Sequence, residues 1–119
     1  MTKTGDAANE SKIARKRREE KLDRAQEIKD LRDICGLPAG RRFLMRILEH
    51  CHIYSTSMSD DPHLTSFREG ERNVGLWMAA EIGDAAPQEW LMMQQERLNE
   101  IEKERRKEIN DDDRDNRDD

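Results

Sequence analysis

His50, Cys51 and His52 form the densest run of metal-ligating side chains, and Cys35 and His63 are available along the chain. A structural zinc site needs four such ligands converging in a tetrahedron. Successive residues on a helix point about 100° apart, so these three cannot easily meet at one ion. No CxxC or HxxxH spacing occurs, and no metal site is expected. Serine, histidine and acidic residues occur, but in no recognisable nucleophile or general-base pattern, and no glycine-rich phosphate loop is present. The sequence therefore predicts no catalytic residues, no cofactor and no enzyme.

The remaining candidates for chemistry are charges and aromatics. Lys12, Arg15, Lys16, Arg17 and Arg18 form a basic cluster. Phosphate pairing needs no more than such a patch, but Glu19, Glu20 and Asp23 follow at once. No helix-turn-helix or zinc-finger signature supports a nucleic-acid site. A solvated face or docking on an acidic protein surface through Arg15, Arg17 and Arg18 is the stronger reading. Arg41 and Arg42 open a helix, where the dipole disfavours cations. A carboxylate partner would remedy this, and pairing Arg42 or Arg72 with Glu69 or Glu49 would fix the register of two helices. Trp77 and Trp90 are first of all core residues, since a small helical unit needs large side chains to fill it. Their other reading, shared with Met92 and Met93, is contact with a partner chain, where aromatics and methionine are enriched.

Stepwise along the chain, the elements that must hold these residues are helical. The first 8 residues are predicted to be disordered. From Asn9 to Cys35 the chain lacks proline and glycine, is rich in Arg, Lys, Glu and Leu, and carries a thin apolar stripe of Ile13, Leu22, Ile28 and Leu31. Only its C-terminal half has enough apolar surface to dock on a core. Gly36 and Pro38 stop it. A strongly amphipathic helix is predicted from Ala39 to Tyr54, with Phe43, Ile47 and Cys51 on one face and Leu44 and Leu48 beside them. Asp61 and Pro62 read as a cap and first turn for a third helix running to about Ile82. Gly70 and Gly75 inside it suggest close approach of another backbone, or a kink. Gly83 and Pro87 bracket a turn into a fourth helix through Trp90, Leu98 and Ile101, ending near Asn110. The spacing of Leu91 and Leu98 hints at a heptad that Arg105 interrupts.

The fold predicted is all-α: a small core of about four helices over 37–95, a charged helix over 9–35 before it and another over 96–110 after it. The residues of 111–119 form an acidic tail predicted to be disordered. Composition agrees. Of 119 residues, 41% are charged and 34% hydrophobic, against ~25% and ~45–50% for globular domains, and mean hydropathy is -1.13. The formal charge of -5 hides a basic start and an acidic end. The first residues carry no apolar run of the secretory kind, so Cys35 and Cys51 are expected to be reduced thiols. No stretch is apolar enough to span a membrane.

The middle of the chain carries a specific pattern. Gly40-Arg41-Arg42-Phe43-Leu44 leads into Ile47-Leu48-Glu49 and Ile53-Tyr54, and Phe67-Arg68-Glu69-Gly70-Glu71-Arg72-Asn73-Val74-Gly75-Leu76-Trp77 follows a polar loop. With Pro87, Trp90, Met92 and Met93, this resembles the small podophage structural-protein family first described from a Bordetella phage, encoded near the portal gene. The resemblance covers about Leu37 to Gln95. Ser-Thr-Ser-Met at 55–58 departs from its pattern, and the two charged arms lie outside it. The resemblance implies a virion or head-assembly protein with no known activity, present in the virion and in the host cytoplasm during assembly. Portal or head proteins would be its partners, and a symmetric homo-oligomer is expected. A transient scaffold or assembly chaperone, and a small DNA-binding or packaging accessory, are the competing functions.

Overall fold

The computed structural model describes residues 2–117, and they form four helices: α1 (Thr2–Gly36), α2 (Pro38–His50), α3 (Pro62–Ala85) and α4 (Pro87–Arg117). The all-α expectation holds. The two long helices exceed their predicted limits. Residues 2–8 and 111–117, predicted to be disordered, continue α1 and α4; residues 1 and 118–119 lie outside the described residues. Arg114 and Arg117 place positive charge in the last turn of α4, where the helix dipole favours it.

The joints are short. Leu37 alone separates α1 from α2, and Ala86 alone separates α3 from α4. Proline opens α2, α3 and α4, where its missing N–H is no loss. Asp61 caps α3 as expected, its side chain accepting from the His63 amide at 2.9 Å. The predicted turn at Gly83 is absent: Gly83 is helical, and the chain breaks at Ala86, whose N–H still reaches the Ile82 carbonyl at 2.8 Å. At the end of α2 the chain reverses through His52, the one non-glycine residue with positive φ (60°) among the described residues. Its N–H donates to the Glu49 carbonyl at 3.0 Å, as a left-handed helix terminus does.

The core is small. Cys35, Leu44, Leu48, Ile82, Ala86 and Met93 form one buried cluster, with Leu31, Met45, Ile53, Met78, Ala79 and Trp90 packed around it. It draws one or two turns from each helix. The last turns of α1 belong to it, so the core unit begins upstream of Leu37. Phe43, for all its place in an amphipathic pattern, is half outside, with the Arg46 guanidinium over its ring at 5.4 Å.

The molecule is long and flat, 95 × 39 × 15 Å, with a radius of gyration of 23.0 Å. A compact chain of this length would have about 13–14 Å. At 1.5 Å per residue, α1 spans about 52 Å and α4 about 46 Å. The 95 Å dimension is reached only if these two helices leave the core toward opposite ends. All four helices pack against one another at the core, while the outer parts of α1 and α4 run on exposed along their whole length.

Candidate assembly surface

The polar contacts that set the arms come first, because they fix what the surface presents. Arg41 is the one charged residue buried among the described residues. Its Nε donates to Glu96 Oε1 at 2.7 Å and its Nη1 to the Cys35 carbonyl at 2.9 Å. One guanidinium thus ties the start of α2 to the end of α1 and the middle of α4. It also satisfies a terminal carbonyl of α1 and places positive charge where that helix's dipole favours it. Arg41→Ala is expected to cost about 2 kcal/mol, mostly from the orphaned Cys35 carbonyl. The Glu96 share is small because Glu96 is 40% exposed. Urea unfolding would measure it; an unchanged midpoint would contradict the role.

Two further arginines dock α1 on α3. Arg32 Nε donates to the Ala85 carbonyl at 2.6 Å. Arg24 donates to Glu81 through Nη1 at 2.6 Å and Nη2 at 3.2 Å, and to Glu27 at 3.1 Å. Hydrogen bonding to Glu81 first, then Glu27, pushes the Arg24 pKa up. Two points of α1, eight positions apart, are thus pinned to the C-terminal part of α3. On the far side, Arg97 lies 3.4 Å from Glu49 and stacks over the Tyr54 ring at 3.6 Å, while Tyr54 donates to Gln94 at 3.0 Å.

The expected pairing of Arg42 or Arg72 with Glu69 or Glu49 is not formed among the described residues. Arg42 is exposed, Glu69 accepts from the Ser57 hydroxyl, and the half-buried Arg72 has no partner for its Nε. Glu49 pairs with Arg97 instead. The register lock is Arg41 with Glu96, and its signal was present: Arg41 stands three and seven residues before Leu44 and Leu48, on the buried stripe of α2, whereas Arg42 is turned about 100° away.

The expected partner-contact residues divide. Arg15, Arg17 and Arg18 are exposed on the free half of α1. Trp77, read first as core, is 61% exposed. Met92 is exposed too, Trp90 is half-buried against the core, and Met93 is fully inside it and free for no partner. Phe67 and Val74, within about 80° of Trp77 around α3, are also exposed, Phe67 by 64% and Val74 by 56%; Leu64, exposed too, lies on another side of the helix. Glu81, which pairs with Arg24, lies on the same side of α3 as Val74 and Trp77. On α4, Leu91, Leu98, Ile101 and Ile109 are exposed as well. Around the helix, Leu91, Leu98 and Ile109 fall within about 20° of one another, opposite the side that carries Met93 and Arg97 to the core. A monomer of this size rarely leaves so many large apolar side chains bare without a use for them.

Other chemistry finds little support. The described residues hold no group of three or more His, Cys, Asp or Glu side chains able to bind a metal, and His50 and His52 rings stand 6.5 Å apart. No helix is long and apolar enough to cross a membrane among those residues. A recess of about 420 Å³ beside the α2–α3 loop is lined by His52, Leu64, Phe67, Arg68, Glu71 and Arg72; it continues the exposed α3 flank. Both cysteines are free thiols. Burial, with help from Glu89 and against Arg41, raises the Cys35 pKa above its ordinary 9.0. Folding therefore favours the protonated thiol: its contribution is full below about pH 9 and is lost as pH rises beyond it. Alkylation of the native chain at pH 8 is expected to modify the half-exposed Cys51 at least about tenfold faster than Cys35; equal rates would contradict the burial of Cys35.

The profile of the Bbp19-like phage protein family matches residues 29–95. The chain belongs to the Bbp19-like phage protein family. It is accordingly a bacteriophage protein. The matched segment begins where α1 reaches the core, just ahead of Leu31, and ends at Gln95, before α4 leaves it. The Bbp19-like unit is thus the core with its exposed α3 flank, and the two charged arms extend it. No curated protein and no solved structure matches the chain.

Proposed function

We propose that this Bbp19-like protein is a non-enzymatic virion assembly component, a minor head or portal-proximal constituent that acts by binding other phage structural proteins. The observation that carries the reading is the bare apolar flank of α3 beside two solvent-projecting arms. Covering Phe67, Val74 and Trp77 would remove apolar surface from water at about 25 cal/mol per Å². The chain's own helices leave that flank bare. A portal, a head protein or another copy of the chain would supply the missing cover, during assembly in the host cytoplasm and afterwards in the particle.

Quantitative mass spectrometry of purified particles tests this. The expected result is a fixed copy number in procapsids and filled heads alike. Loss on filling would instead identify a scaffold, and absence from both would remove the assembly reading. The exposed cations from Lys12 to Arg18 favour one second reading, contact with duplex DNA. It requires salt-dependent DNA binding that weakens when Arg15, Arg17 and Arg18 become alanine. No binding at low salt would eliminate it.

A further inference from the structure

We infer that the free half of α1 and the exposed flank of α3 together receive the α4 arm of a second copy of the chain, so that copies join head to tail. This rests on the assembly reading above and names the partner of the same surface. The receiving surface has two walls. On α1, Ile13 and Arg17 continue the line of Arg24, Leu31 and Cys35, which faces the core lower down. On α3, the wall is Phe67, Val74 and Trp77, all exposed.

The proposed occupant has matching features. Beyond Arg97, α4 is a bare helix of about 30 Å, and the free part of α1 from Gly5 to Asp23 is about 28 Å long. The α4 arm carries Leu98 and Ile109 on the side turned from its own core, with no cover. Its end carries Asp111, Asp112, Asp113 and Asp115, whereas the α1 arm carries Lys12, Arg15, Lys16, Arg17 and Arg18. These opposite charges cannot meet within one chain, because the arms leave toward opposite ends of a 95 Å molecule. Side by side and in parallel, two α1 arms would oppose cations to cations and two α4 ends aspartates to aspartates, each a repulsive juxtaposition. The α1 arm of one copy against the α4 arm of another instead brings the basic cluster to the acidic end and one apolar stripe to another. Such a contact is heterologous: it closes into a ring or continues as a filament, according to the rotation it imposes.

The full chain, studied by sedimentation at low salt over a range of concentrations, tests this with charge reversal on exposed residues. R15E/R17E/R18E and D111K/D112K/D113K should each weaken self-association at least about tenfold. Mixing the two variants should restore it, since each then meets a complementary arm. A chain carrying both sets of changes should also associate by itself. High salt should weaken the wild-type assembly. A wild-type chain that stays monomeric at every concentration overturns the inference, as do reversals without effect or a mixture that fails to recover. A monomeric chain that is nevertheless constant in mature particles would remove this inference and leave the assembly reading standing.

Discussion

Replacing Gly40 with alanine should unfold this protein more readily than any other single methyl group added to it. A β-carbon at Gly40 would run into the carbonyl oxygen of Ile34, and would also lie 2.9 Å from the Ile34 carbonyl carbon and 3.0 Å from its Cγ2. The obstacle is backbone, in the last turn of α1, and cannot swing aside as a side-chain tip can. Relief requires the α1–α2 elbow to open, which would pull Arg41 from the Cys35 carbonyl and loosen Leu44 and Leu48. Overpacking of this kind costs about 3 kcal/mol, although alanine regains about 1 kcal/mol of helix propensity. A loss near 2 kcal/mol should lower the thermal midpoint by about 10 °C, read by circular dichroism. An unchanged midpoint would mean that the elbow is not this tight.

Gly75→Leu should be at least as damaging, by a different route. A β-carbon there would stand 2.5 Å from Ile53 Cγ2 and 2.6 Å from Cys51 Cβ, where α3 passes the end of α2. Leucine adds three more carbons in a place already full. The chain must part α3 from the α2–α3 loop, at a cost of about 3 kcal/mol or more. Because that loop borders the exposed α3 flank, assembly should fail together with stability. Gly75→Ala, with only one carbon and a propensity gain of about 1 kcal/mol, should be milder. Wild-type stability and oligomer size in Gly75→Leu would contradict the close passage of α2 and α3.

These two glycines show what the sequence disclosed and what it withheld. Gly75 was legible as a point of close approach because glycine is costly inside an apolar helical pattern; Gly70, with the same signal, meets nothing within 4 Å. Gly40 carried no such signal, because its constraint is set by the angle at which α1 arrives. All four helices and the Asp61 cap followed from periodicity and end chemistry alone. The ends did not: α4 runs to Arg117, beyond the expected stop at Asn110. The side chains that form the core were only partly legible. Leu44, Leu48 and Ile82 are inside, as their spacing implies, but Trp77 and Phe67 are exposed. Size and hydrophobicity place a residue inside only where another helix covers it, and the chain's own helices leave these two bare. Arg41, paired across sequence with Glu96, was hidden by its neighbour Arg42, which shares its chemistry but faces solvent. Pairs such as Arg24 with Glu81 depend on the angle between helices, which helical periodicity does not contain.

The central claim is that protein from outside the chain covers the α3 flank. An electron cryomicroscopy map of the intact particle tests it most directly. The account predicts density for the core at a fixed position, with Phe67, Val74 and Trp77 packed against a neighbouring subunit. Density in which that flank faces open solvent, or a particle without the chain, would contradict it.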